Sequence, residues 1–155
     1  MLATGVLLGI IVGVRGVIGQ EARPSDMLVQ ENPVPATPAS LAAGKRAYDE
    51  FCAACHGDRA QGAERAGLVL SIIEEQGRRQ PPDLTDDVWD HGSSDSAIFA
   101  VIKQGIPPTM MAGYDGKLSD AEIWHVINYV HALATNPDLE IAPTTVEEAR
   151  RLQWP

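Results

Sequence analysis

Five consecutive residues carry the most reactive groups of the chain: Cys52-Ala53-Ala54-Cys55-His56. On a helical turn, cysteines three apart lie on the same side. Two thiols so placed can each add to one of the two vinyl groups along one haem edge. The next residue, His56, then projects an imidazole at the iron. C-x-x-C-H is the spacing of c-type haem attachment. Two other chemistries use similar residues. A thiol-disulfide exchange motif sits beside a βαβ pattern, and none is visible. A zinc site needs further ligands at ordered spacing. His91, His125 and His131 are scattered, and Cys52 and Cys55 are the only cysteines.

Haem iron has a second axial position. The candidates downstream are Met110, Met111 or a histidine. The methionines lie in Gly105-Ile-Pro-Pro-Thr-Met-Met-Ala-Gly-Tyr-Asp-Gly. A proline-stiffened loop can press a thioether onto iron with no helix in the way. His/Met ligation is an electron-transfer arrangement that raises the reduction potential. One methionine is then expected as ligand and the other as apolar filler.

The elements that must position these groups read as helices. Residues 41–51 place Leu41, Gly44, Ala47, Tyr48 and Phe51 at intervals of three and four, with Ser40 as N-cap. Residues 52–62 form a tight, glycine-punctuated segment. A helix is expected over 63–76, stopped by Gly77. Pro81-Pro82-Asp83-Leu84 must be extended. A second window, 94–104, is capped by Ser93 or Ser94 and stopped by Gly105. Ser119-Asp120-Ala121-Glu122 is a capping box. It opens a helix whose apolar face is Ile123, Val126, Ile127 and Val130, ended by Asn136-Pro137. A further capping box predicts a short helix over 144–152. No stretch alternates like a strand, so the body is expected to be all-α.

With these residues in place, positions 40–134 resemble the class I cytochrome c family. Gly44 and Tyr48 stand where that family's N-terminal helix has its close-packing glycine and aromatic. Val126 and Tyr129 match the C-terminal helix positions that cross it. Pro82-Asp83-Leu84 matches the family's P-x-L, which implies that the Pro82 carbonyl accepts the Nδ1–H of His56. Bacterial members often read Thr-x-Met-Pro-Ala-Phe before the last helix. Thr109-Met110-Met111-Ala112-Gly113-Tyr114 puts Met111 in the ligand's place, with no proline after it.

The resemblance implies an all-α class I cytochrome c fold around one covalent haem c. Cys52 and Cys55 would form its thioethers, His56 and Met111 would be the axial ligands, and Tyr48, Pro82, Leu84 and Trp89 would contribute to its pocket. Trp89 or His91 could reach a haem propionate, whereas His125 and His131 read as helix-surface residues. The implied function is single-electron transfer between a donor and an acceptor redox protein, not catalysis by this chain alone. The chain would be a shuttle or the haem subunit of a larger, membrane-bound oxidoreductase or respiratory complex. The alternative class is a haem enzyme or gas-binding sensor with a displaceable sixth ligand.

Composition bounds the rest. The 155 residues carry a formal charge of −9, which argues against a nucleic-acid partner. Hydrophobic residues make up 45% but aromatics only 5%, thin for such a core unless a haem ring supplies the bulk. Residues 2–14 are apolar or small, followed by Arg15. Residues 1–20 therefore read as an export signal or a membrane anchor, the part through which membrane contact would be made. Residues 21–39, with Pro24, Pro33, Pro35 and Pro38, read as a linker. The cytochrome domain is expected over 40–135, with a C-terminal extension over 136–155 in which Trp154 has no assigned role. Attachment of haem to C-x-x-C-H is chemistry of exported chains, so an extracytoplasmic location follows, in the periplasm or on the outer face of the cytoplasmic membrane.

Overall fold

The computed structural model describes residues 31–68, 71–75 and 78–141. The segment 1–20, the first half of the expected linker with Pro24, the helix expected over 144–152 and Trp154 lie outside these. The described residues form six helices: α1 (Pro38–Phe51), α2 (Ala53–His56), α3 (Gly62–Arg65), α4 (Ser71–Glu75), α5 (Asp95–Gln104) and α6 (Asp120–Thr135). Among them there is no strand, only isolated bridges at Gly105–Ala112 and Asp115–Leu118. The fold is all-α, as expected, and none of the described helices is long and apolar enough to cross a membrane.

α1 starts three residues before the expected Leu41. Its cap is Thr37, not Ser40: the Thr37 hydroxyl accepts from the Ser40 amide at 3.2 Å. Pro38 at the first turn explains the shift, because it has no N–H to leave unsatisfied and its φ is already helical. The expected helix over 63–76 divides into α3 and α4. Gly67 adopts φ +67° between them, a conformation that ends a right-handed helix. Gln76 and Gly77 lie outside the described residues. The other boundaries follow their caps. The Ser94 hydroxyl accepts from the Ala97 amide, and Gly105 stops α5 at φ +73°. Ser119 and Glu122 form the expected capping box at the start of α6.

The core is the crossing of α1 over α6. Gly44 makes it possible: a Cβ there would stand 2.0 Å from the His125 carbonyl oxygen. The Tyr48 and Tyr129 rings meet edge to face below it at 5.5 Å. Ile123, Val126, Ile127 and Leu133 are buried on the same side of α6. Each such side chain stabilises the fold by roughly 1.5–3 kcal/mol. α5 adds Ile98 and Ile102, and Phe99 stacks on Trp124 at 4.2 Å.

Two stretches read from sequence as peripheral are part of this body. Asn32, within the expected linker, donates through Nδ2 to the Trp124 carbonyl and the Asn128 side chain, both at 2.9 Å. Its backbone amide donates to Asp95. Asn128 in turn donates to the Val34 carbonyl and the Ser40 hydroxyl. Apolar period was absent from this stretch because polar side chains, not a greasy face, hold it. At the other end, Leu139 and Ile141 pack on the core, and Arg59 bonds the Pro137 carbonyl and Glu140. The body thus reaches beyond 40–135 on both sides.

Candidate haem-binding site

α1 runs into the thiol turn almost without a break. The Cys52 amide donates to the Tyr48 carbonyl, and those of His56 and Gly57 donate to the carbonyls of Cys52 and Ala53, each at 2.8–2.9 Å. Gly57 ends the turn at φ +82°. Tyr48, fully buried, donates through its hydroxyl to the Gly57 carbonyl at 2.8 Å. This aromatic therefore sets the backbone beside His56.

Both thiols are free, Cys52 half-buried and Cys55 exposed. Burial, with a smaller contribution from Cys55, pushes the Cys52 thiol up to about 12. A thiol poised for disulfide exchange is held low instead. His56 is buried, and its Nδ1 donates to the Pro82 carbonyl at 3.1 Å. A carbonyl only accepts, so this contact assigns the proton to Nδ1 and leaves the lone pair on Nε2. Burial holds the imidazole below its ordinary pKa, with the Pro82 bond opposing. The ring is then neutral near pH 7, the form that ligates a metal.

Pro82 is itself held from beneath. The Ala63 amide donates to the Pro81 carbonyl and the Leu84 amide to the Ala60 carbonyl, at 3.0 and 2.8 Å. Gly62 lets the two segments touch: a Cβ there would lie 2.6 Å from the Asp83 nitrogen. Arg65 pairs with Asp83, whose other oxygen accepts from the amide and hydroxyl of Thr85.

The methionine loop is a closed ring between α5 and α6. Its neck is Gly105 against Gly113, where a Cβ on Gly105 would stand 2.5 Å from the Gly113 nitrogen. Inside, the Ile106 amide donates to the Met111 carbonyl, and the Met111 amide to the Thr109 hydroxyl. Met111 is half-buried, while Met110 is 53% exposed and so does not serve as filler. Arg78 donates to the Pro108 carbonyl. Tyr114 donates to the Phe51 carbonyl at 2.9 Å.

The remaining sequence candidates separate. Leu84 and Trp89 are partly buried against the core. The Trp89 indole N–H donates to the Asp86 carbonyl at 3.1 Å, a local bond that engages the group expected to reach a propionate. His91 is exposed. The two α6 histidines are not simple surface residues. His125 Nδ1 lies 2.8 Å from the Ser40 hydroxyl at the helix crossing. His131 Nε2 lies 2.8 Å from Asp95. Sequence reasoning missed Asn32, Asn128 and Phe99; the first two carry no periodic signal, and their partners are distant in the chain.

This donor set suits a haem better than a bare ion. Among the described residues no three of His, Cys, Asp and Glu gather as a metal-holding group. One oriented imidazole and two thiols on the same turn are the donors that a C-x-x-C-H haem attachment would use, and the half-buried Met111 thioether lies in the methionine loop.

Residues 39–130 match the family model described as cytochrome c oxidase, cbb3-type, subunit III. The cbb3-type cytochrome c oxidase subunit CcoP of an Azospirillum species is 36% identical over 109 residues, covering 70% of this chain and 34% of that protein. The thiosulfate dehydrogenase of Stutzerimonas stutzeri is 33% identical over 123 residues, covering 77% and 36%. The subunit FixP of Bradyrhizobium diazoefficiens is 34% identical over 92 residues, covering 59% and 27%. The chain therefore spans roughly a third of the length of these relatives. Among solved structures, the reducing HAO-like protein complex of Kuenenia stuttgartiensis superposes with a TM-score of 0.55 at 29% identity, over 65% of this chain and 46% of that one. The chain belongs to the cytochrome c family, in its cbb3-type subunit III branch, and its helical body is a cytochrome c domain.

Proposed function

We propose that this chain is a monohaem electron-transfer domain working outside the cytoplasm as the haem subunit of a larger oxidoreductase. Cys52 and Cys55 attach one haem c, His56 and Met111 ligate its iron, and Pro82, Leu84, Trp89 and Tyr48 shape the pocket. The observation that carries this reading is the His56 ring. It is buried on the turn that bears both thiols, with Nδ1 committed to the Pro82 carbonyl and Nε2 left as the donor. When bound, the haem supplies a one-electron Fe(III)/Fe(II) couple. The residues around it exclude water, hold the imidazole tautomer and keep a thioether available, and these set the potential. Between a fixed subunit and a free shuttle, the reading taken is the fixed subunit. The relatives named as oxidase subunits and a dehydrogenase support the same choice.

The test is expression of the full chain with a haem-attachment system. One covalent haem per chain is expected, with a sulfur-to-iron band in the far red of the ferric spectrum. Carbon monoxide should not bind the reduced protein at neutral pH; rapid binding would favour the sensor or haem-enzyme class. Migration of the native protein as a free monomer in gel filtration would overturn the subunit role.

A further inference from the structure

We infer that the Tyr114 hydroxyl is a positioning group that holds Met111 toward the iron. This rests on the reading of Met111 as axial ligand. The ring of residues 105–113 is well ordered within itself, through the Gly105–Gly113 neck and the bonds of Ile106, Thr109 and Met111. Those bonds fix the shape of the loop, not its position relative to the thiol turn. No proline follows Met111; Ala112 and Gly113 do, and they stiffen nothing. Placement falls to groups that reach out of the loop.

Tyr114 is three residues past Met111 and reaches Phe51, the residue just before Cys52. Its hydroxyl donates to the Phe51 carbonyl at 2.9 Å, and its ring meets the Phe51 ring edge to face at 5.8 Å. The Phe51 carbonyl is one of the last of α1, a group that a helix leaves without an internal partner. One phenol thus satisfies a helix end and ties the methionine loop to the backbone that carries the thiols. Its own amide, bonded to the Ile102 carbonyl at 3.0 Å, fixes the other side to α5.

Tyr114→Phe removes that hydrogen bond and keeps the ring. The full chain with haem attached is titrated with imidazole in the ferric state, reading loss of the sulfur-to-iron band. Imidazole binds only the fraction with the thioether displaced, so its apparent Kd reports that fraction. Loss of one neutral hydrogen bond should raise the displaced fraction, and lower the Kd, roughly fivefold. Helical circular dichroism should not change. Ser119→Ala, which removes the α6 cap, is the comparison for general destabilisation: its Tm should fall with no change in Kd. An unchanged Kd in Tyr114→Phe overturns the inference, and so does an equal fall in Ser119→Ala. Met111→Ala separates this from the ligation reading. If that variant retains the band, or binds imidazole no more tightly than the parent, the ligand is another residue and both readings fall.

Discussion

The backbones of Gly44 and His125 touch where α1 crosses α6, so closely that a Cβ on residue 44 would stand 2.0 Å from the His125 carbonyl oxygen. Backbone cannot yield there as a flexible side chain would. Gly44→Ala must push the helices apart and loosen the Tyr48–Tyr129 contact beneath. We expect a loss of about 2–3 kcal/mol despite the better helix propensity of alanine. Chemical denaturation measures it; an unchanged midpoint would show that the helices do not meet at this point.

Tyr48→Phe tests the hydrogen bond that fixes the backbone after His56. The Gly57 carbonyl, bonded at 2.8 Å by a fully buried phenol, would lose that partner. The expected cost is about 1–2 kcal/mol in stability. Denaturation of parent and variant side by side checks it. Haem attachment should persist, since both thiols stay on their turn.

Met111→Ala and Met110→Ala should behave in opposite ways. Met110 is 53% exposed, while Met111 is half-buried with its carbonyl and amide bonded inside the loop. Only Met111→Ala should abolish the sulfur-to-iron band and lower the reduction potential. Spectroelectrochemistry of the two variants decides it, and loss of the band in Met110→Ala would transfer the ligand role.

Asn128→Ala should release the segment ahead of α1. The side chain accepts from Asn32 and donates to Val34 and Ser40, so its loss removes three hydrogen bonds at once and leaves the Val34 carbonyl without its Asn128 donor. We expect about 2–3 kcal/mol of destabilisation. Amide hydrogen exchange at residues 32–37 should accelerate by more than that of α6. Equal acceleration everywhere would mean the segment is not separately held.

Asp83 makes part of the stability acid-sensitive. Burial alone would raise its carboxyl pKa, but the hydroxyl and amide of Thr85 and the Arg65 guanidinium outweigh it and hold it below 3.8. A carboxyl lower in the folded than in the unfolded chain adds stability above the unfolded value, and this is lost as pH falls through the folded one. Asp83→Asn should therefore destabilise the protein at about pH 6 and much less at about pH 3. Urea midpoints at the two pH values check the sign.

The sequence alone determined whatever is decided within a turn or two. Cys52, Cys55 and His56 fall on one turn as their spacing requires, and Ser94, Ser119 and Gly105 mark helix ends by local hydrogen bonding and φ. The apolar period of α6 announced its buried face, and the absence of alternation an all-α body. Where local rules competed, the reading slipped. Pro38 outbid Ser40 as the start of α1, and Gly67 divided a helix whose pattern ran through it. The tertiary structure decided what depends on partners far apart in the chain. Asn32 meets Asn128 across 96 residues, and Tyr114 meets Phe51 across 63. A buried amide or helix-end carbonyl must find a partner, but which partner is set only when the helices have packed. The same packing turned His125 from a surface residue into part of the α1–α6 crossing, and the described end of the linker, from Asn32 to Val34, into a strap on the body.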